Sequence, residues 1–507
     1  MPEVVLDGVE LTAEQVRSVA RSKAPVLVHP DGLVRANAAH QTVSALSAAG
    51  QVYGRTTGVG ANRLVAVAYE SNAGPVVLGP EGSVLPADAP IPDPVPEPVR
   101  HDAHGLRLLR SHAGGAGPLL DPVSVRAMLT VRLNQLAAGG SGVSPHLLHG
   151  LAEALNRGLT PPVHAFGGIG TGDLPALAVT ALCLLGEVPW RGGTMDPIPF
   201  DPADALSFIS SNAGSLGEAA LACADLSELL RASTVITALA FLAGDGNSEA
   251  YEAVVHLARP HAGQQTVAAR LRDLLAGQPV KAARIQDPYS YRAVPQVHGP
   301  ALDAVVALER TLGIELNSAS ENPLVDPVGN RVLHNANFHT AYLGLALDAI
   351  RNALFQTAAL SVARLSLMLE PAFTGLSPFL ASGPPGSSGL MILEYVAHSA
   401  LGALRLNAMP TSLATAVVSR GVEEHAPFSS QAARNSLDAV GDYRIVLAAE
   451  LVAAVRALRM RGTTPVDGPL ADAFAYAAER LPGRLDDRPL DQDVEDAAAL
   501  LPGLAEF

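Results

Sequence analysis

Only two lysines, Lys23 and Lys281, occur in the 507-residue chain; cysteine also occurs twice, and aromatic residues make up 4%. The shortage of aromatics, beside abundant Ala and Leu, argues against an all-β fold. Aromatic and β-branched side chains fill strands, whereas Ala and Leu favour helix. Cys183 and Cys223 both lie in apolar runs. They read as buried thiols rather than a disulfide pair, and neither belongs to a metal-ligand cluster. Basic charge is short too, leaving a formal net charge of −15. An acidic surface argues against nucleic acid and anionic membranes as partners. The start, Met-Pro-Glu-Val-Val-Leu-Asp, has no basic segment followed by an apolar one. No signal peptide is therefore expected, and the expected location is cytoplasmic. The apolar run 174–185 is too short to span a membrane. No Walker, CxxC or HExxH motif is present, so no metal is expected.

What is abundant is apolar helix-forming sequence. Hydrophobic residues make up 48% of the chain, enough for a large core. Apolar positions recur every three or four residues through 202–245, 249–276, 297–317, 338–370, 387–408 and 428–461, which predicts long helices. The resulting fold class is all-α, a central helical bundle with a smaller mixed N-terminal region. Two helices are predicted in 120–158, broken near Gly139-Gly140-Ser141-Gly142, and another over 174–186 opened by Asp173. Thr12 is an expected N-cap with Gln15 at the capping-box position. Residues 50–62 form a loop, and the Pro-rich stretch 75–100 cannot be helical. The expected division is an N-terminal domain over 1–200 and a helical-bundle domain with a C-terminal tail over 201–507. Gly168-Ile169-Gly170-Thr171-Gly172 superficially suggests a nucleotide loop, but the fingerprint needs a strand and a βαβ unit, and the context is helical.

Several separated motifs carry a resemblance. Val52-Tyr53-Gly54-Arg55-Thr56-Thr57-Gly58-Val59-Gly60 resembles V-Y-G-x-x-T-G-F-G. Ser111-His112-Ala113-Gly114-Gly115-Ala116-Gly117 resembles S-H-A-A-G-V-G. Arg132-Leu133-Asn134, Arg259-Pro260-His261-Ala262-Gly263-Gln264, Gln286-Asp287-Pro288-Tyr289-Ser290-Tyr291-Arg292, Asn317 to Leu324 and His334 to His339 each have counterparts. From about residue 5 to 460 the chain resembles the aromatic amino acid ammonia-lyase and aminomutase family. The resemblance implies a helical fold shared with fumarase-like lyases. It also implies a homotetramer whose active sites are built from several subunits, and ammonia elimination or a 2,3-amine shift on a small-molecule substrate.

The resemblance assigns roles. Tyr53 aligns with the catalytic base. A phenol titrates near ~10 and has to be lowered by its neighbours to act as one. Arg292 aligns with the carboxylate anchor, for which a guanidinium supplies bidentate geometry. Tyr289 aligns with a second active-site tyrosine, a proton donor or oxyanion partner, and would share the face of Arg292 on a helix. Gln286 and Asn317 align with amides around the substrate, and Phe338 with an aromatic beside the prosthetic group. Ser111 and His112 fall where the family reads the substrate side chain, and the pair looks more like histidine lyases.

The largest departure is at 163–178. There the family has G-S-V-G-A-S-G-D, whose Ala-Ser-Gly cyclises to the electrophile methylidene-imidazolone (MIO). Here Gly170-Thr171-Gly172 precedes Asp173, with no serine. A one-residue deletion keeps more of the upstream glycines in register and implies that no such cofactor forms. An ungapped alignment puts Thr171 at the serine position and leaves a threonine-derived group open. The family's N-G-T-Q, whose Asn contacts the prosthetic group, falls at Ser210-Ser211-Asn212-Ala213, which puts Ser210 among the expected substrate-binding residues. Its glutamate in S-E-N-K falls near Ala403-Leu404-Arg405. The expectation is an MIO-independent enzyme of this family, carrying out base-promoted elimination, conjugate addition or cyclisation on a carboxylate-bearing substrate in specialised metabolism. The alternatives are a histidine-type ammonia-lyase or aminomutase with a threonine-derived group, and a non-catalytic binding homologue.

Overall fold

A computed structural model describes residues 2–71 and 103–507. The Pro-rich stretch 75–100 lies outside them. The helices follow the apolar periodicity closely. They are α1 (Ala13–Arg21), α2 (Pro30–Ala49), α3 (His104–His112), α4 (Pro122–Ala137), α5 (Pro145–Asn156), α6 (Leu174–Leu184), α7 (Ala205–Ile209), α8 (Ala213–Ala243), α9 (Ala253–Leu257), α10 (Ala262–Leu275), α11 (Tyr289–Arg292), α12 (Val294–Glu315), α13 (Ala341–Met368), α14 (Pro371–Thr374), α15 (Met391–Asn407), α16 (Ser429–Arg461), α17 (Pro469–Arg480) and α18 (Asp491–Leu504). Strands are short and paired in twos: Val4–Leu6 parallel to Val26–Val28, and two antiparallel pairs, Ala116–Leu119 with His164–Phe166 and Leu324–Asp326 with Arg331–Leu333. The all-α expectation therefore holds. Thr12 caps α1 in a full capping box with Gln15. Apolar segment 202–243 is long enough to cross a membrane but is mostly buried, as in a core helix.

Two compact units divide the chain. One comprises Met1–Leu221, Glu309–Leu347 and Thr411–Arg434; the other comprises Ala222–Leu308, Asp348–Pro410 and Asn435–Phe507. The first is organised by α4, whose residues 124–137 are all buried. Arg132 lies there fully buried. It pairs with buried Glu321 at 2.7 Å and donates to the carbonyls of Ser207 (2.6 Å) and Phe208 (3.0 Å). Two residues on, Asn134 accepts the Gly8 N–H at 2.9 Å and donates to the Leu316 carbonyl at 3.0 Å. The Arg-x-Asn motif is thus architectural: each polar group satisfies a backbone group that burial would otherwise strand.

In the second unit, fully buried Arg364 of α13 grips Glu450 of α16 bidentately at 2.6 and 3.0 Å and donates to the Ser290 carbonyl at 3.0 Å. Tyr291 is buried against Phe373, with ring centroids 5.0 Å apart, and its carbonyl accepts the Tyr251 hydroxyl at 2.5 Å. Helix α11 is thereby held by Ser290 and Tyr291, which leaves Tyr289 exposed and Arg292 half-buried.

His298 of α12 is buried in the same unit, and neither ring nitrogen has a hydrogen-bond partner among the described residues. Burial, then the Arg364 charge, pushes its imidazolium well below the ordinary value of 6.5. As pH falls below about 6.5 the unfolded chain takes up a proton that the native state refuses, so stability drops. His298→Gln should therefore flatten the loss of unfolding free energy between pH 6.5 and 5 by up to about 1.4 kcal/mol per pH unit. Urea unfolding at a series of pH values checks this.

Candidate active site

In the first unit the Tyr53 turn and the Gly170-Thr171-Gly172 loop are bridged by two shared segments, 334–340 and 419–431. Tyr53 begins a tight turn in which Gly54 has φ +75°. A Cβ on Gly54 would come within 2.1 Å of the Leu206 side chain, so only glycine serves there. The half-buried Tyr53 hydroxyl accepts the Gly60 N–H at 2.7 Å, and its ring meets His334 edge-on. Next to Gly60, the Ala61 N–H donates to Ser419 Oγ at 2.9 Å. Burial raises the Tyr53 phenol above its ordinary value. Glu423 adds to this, while the Gly60 N–H and Arg63 pull down without offsetting it. The expectation that neighbours lower this phenol is not met within the chain, because burial outweighs them.

The other ends of both segments hold the altered loop. The Gly170 carbonyl accepts from Thr340 twice, at 2.9 Å from Oγ1 and 3.2 Å from N–H. Gly168 and Ile169 carbonyls accept from Gln431 Nε2 (3.0 Å) and the Phe428 N–H (2.9 Å). The Gly172 N–H donates to Asn212 Oδ1 at 2.8 Å, and Asn212 Nδ2 donates to the Phe338 carbonyl. Between the two ends, His339 Nε2 lies 3.0 Å from His425 Nδ1. Burial, then His425, lowers the His339 imidazolium.

Asp173 sits at the N-cap position of α6 but does not cap it. Its buried carboxylate instead accepts from the Ser215 N–H (2.7 Å), Ser215 Oγ (3.0 Å) and Ser430 Oγ (3.2 Å). These belong to the first turns of α8 and α16, where helix dipoles favour an anion. Burial still pushes the Asp173 carboxyl up, opposed by those hydrogen bonds and by Arg434.

The structure does not gather every residue that the resemblance assigned. Asn317 is saturated by protein groups: it accepts from the Leu11 N–H (2.7 Å) and Asn134 (2.9 Å), and donates to Leu11 and Gly313 carbonyls at 2.9 Å each. It pins the N-terminal segment. Buried Ser210 accepts the Asn322 N–H at 3.2 Å, while its neighbour Asn212 reaches the loop. Ser111 and His112 close α3, bonding to each other (3.1 Å) and to the Leu108 carbonyl. Half-buried Phe338 lies in the bridging segment. In the second unit Gln286, Tyr289 and Arg292 form one group. The Arg292 guanidinium stacks 4.6 Å over the Tyr289 ring, and Gln286, with its amide turned to accept, takes an Arg292 Nη2 hydrogen bond of 2.7 Å. The histidine pair and Glu423 were not singled out as site residues, although His339 lies in a matched motif.

A family model for aromatic amino acid lyases matches residues 11–480. The chain belongs to this family. It is similar to the histidine ammonia-lyase of Anaeromyxobacter dehalogenans strain 2CP-C, with 32% identity over 99% of each chain. The histidine ammonia-lyase of Streptomyces coelicolor is also 32% identical, over 99% of this chain and 97% of the relative. Among solved structures, tyrosine aminomutase from Streptomyces globisporus superposes with a TM-score of 0.87 at 28% identity, over 99% and 97% of the two chains.

The residues at the altered loop do not fit the family's MIO. The methylidene carbon of that group comes from serine, and the middle residue here is Thr171. Position 170 is shaped for glycine: φ is +90°, and a Cβ would lie 2.5 Å from Ser429 Oγ and 2.7 Å from Pro427. Asn212→Ala would strand the buried Gly172 N–H. It should lower unfolding free energy by about 1–3 kcal/mol, measured by chemical denaturation, and should speed amide exchange at Gly172.

Proposed function

We propose that this chain is an MIO-independent enzyme of the aromatic amino acid lyase family. Its substrate is a small, carboxylate-bearing, amino-acid-derived molecule whose proton is already acidified by a carbonyl or thioester. Tyr53 takes the proton from that carbon, and the electron pair expels a β-leaving group. In the reverse sense, the same groups support conjugate addition or cyclisation onto an unsaturated acid. Arg292 anchors the carboxylate, Gln286 orients the guanidinium, and Tyr289 supplies a proton or an oxyanion contact. The observation that carries this reading is the Gly170-Thr171-Gly172 loop, which lacks serine while Tyr53 and the Gln286–Tyr289–Arg292 group are retained. A threonine-derived group with histidine-type deamination is the second reading, favoured by the whole-length likeness to enzymes named histidine ammonia-lyase.

We further propose a cytoplasmic homotetramer with active sites shared between subunits. Exposed apolar side chains support assembly: Tyr342 and Leu345 on α13, and Ile392 and Tyr395 on α15, are each more than half exposed in the single chain. Burying such patches is what oligomer interfaces do.

Intact-mass measurement with peptide mapping over 163–177 separates the two chemical readings. An unmodified mass is expected; loss of two waters mapped to Gly170-Thr171-Gly172 would replace the first reading with the second. With a substrate in hand, Tyr53→Phe should lower kcat by roughly 10²–10⁴-fold. Arg292→Met should act mainly by raising KM.

A further inference from the structure

Arg55 stands two residues after Tyr53 at an unspecified position of the V-Y-G-x-x-T-G motif, yet it points into the protein and is only 3% exposed. Its Nη2 pairs with Asp204 Oδ1 at 2.7 Å and donates to the Gly142 carbonyl at 3.0 Å. Asp204 is fully buried. Its second oxygen accepts the Ser144 N–H at 2.7 Å, and His40 Nδ1 lies 3.8 Å from the first. The remaining guanidinium nitrogens, Nε and Nη1, are buried without a partner among the described residues. A buried ion pair with unmet donors is a poor source of stability. Its attested use is to fix one arrangement among several.

The arrangement fixed here is that of the Tyr53 turn. Asp204 directly precedes α7, and two residues later Leu206 closes over Gly54. One short stretch therefore grips the turn at consecutive residues, sterically at Gly54 and electrostatically at Arg55. Most of the turn's own hydrogen bonds are local: Arg55 and Thr56 N–H to the Val52 carbonyl, and the Val52 N–H to Thr56 Oγ1, while one long bond of 3.4 Å runs from the Tyr53 N–H to His334 Nε2. The local bonds shape the turn without locating it, and the long contact to the exposed His334 is a weaker tether than a buried ion pair. Among the described residues, the Tyr53 hydroxyl accepts a hydrogen bond only from the Gly60 N–H.

We propose that Arg55 and Asp204 are positioning residues, a buried strut that sets where the Tyr53 hydroxyl sits. The catalytic part of this proposal rests on Tyr53 being the base; the positioning part does not. The test compares the parent with Arg55→Met, Asp204→Asn and the double variant Arg55→Met/Asp204→Leu, which leaves no unpaired buried charge. Amide exchange over 53–62 is followed by mass spectrometry, with the Cζ resonance of labelled tyrosine assigned through Tyr53→Phe. In the folded double variant, Gly60 exchange should rise at least tenfold and the Tyr53 resonance should shift or broaden. Arg55→Lys should restore part of both. Unchanged exchange and resonance in a folded double variant overturn the strut. So does a double variant that cannot fold, since the pair is then simply core. With a substrate, the strut variants should lose kcat and keep KM. If Tyr53→Phe retains turnover, the base assignment falls while the exchange result still judges the strut.

Discussion

The Asp173 carboxylate is the constraint on which the altered loop depends. It is buried, so its charge needs compensation, and three donors from the first turns of α8 and α16 supply it. Ser215 Oγ and Ser430 Oγ also lie 2.7 Å apart, so the acid and both hydroxyls form one closed network. Such networks are costly when incomplete and rigid when satisfied. With one end of the loop fixed in this way, the carbonyls of Gly168, Ile169 and Gly170 meet donors already in place on Gln431, Phe428 and Thr340, and the Gly172 N–H meets Asn212 Oδ1. The loop is ordered by hydrogen bonds from fixed elements.

Much of the fold was legible because it is local. Long apolar periodicity marked the helices, Thr12 with Gln15 marked a helix start, and the Gly139–Gly142 run marked a break. The motif likeness was legible for the same reason, since it lies in short contiguous strings. Partnerships across the chain were not. Asp173 reads as an ordinary helix cap until α16, more than 250 residues away, offers Ser430. Asn317 reads as a substrate amide until Leu11, Asn134 and Gly313 together take all of its hydrogen-bonding capacity. Ser210 and Asn212 differ by two positions, and only the start of α8 decides which of them faces the loop. Arg55 gave no signal, because a charge beside a glycine-rich turn ordinarily points to solvent.

The candidate chemistry falls into two groups held by separate means. Tyr53, Glu423 and the His339–His425 pair lie on loops of the first unit, tied by backbone hydrogen bonds. Tyr289 and Arg292 lie on the short helix α11 of the second, with Gln286 just before it, and the helix's inner residues are anchored by Arg364 and by the Tyr251–Tyr291–Phe373 cluster. Anchoring a binding group from behind in this way leaves its outer residues free for a ligand and still fixes their geometry.

Magnitudes decide what such groups can do. A positioned general base contributes about 10²–10⁴-fold, roughly 3–5 kcal/mol of barrier. A carboxylate clamp adds orientation, but it stabilises substrate and transition state alike unless their geometries differ. Neither supplies the electron sink needed to remove an unactivated β-proton and expel ammonia. In this family the electrophile provides that sink, and the residues at 170–172 do not fit it. A phenol raised by burial is a strong base once ionised, though it is seldom ionised near neutrality. It therefore suits a carbon acid whose pKa approaches its own, where proton transfer is not far uphill. On the proposed MIO-independent reading, that acidity resides in the substrate, in a carbonyl or thioester next to the reacting carbon.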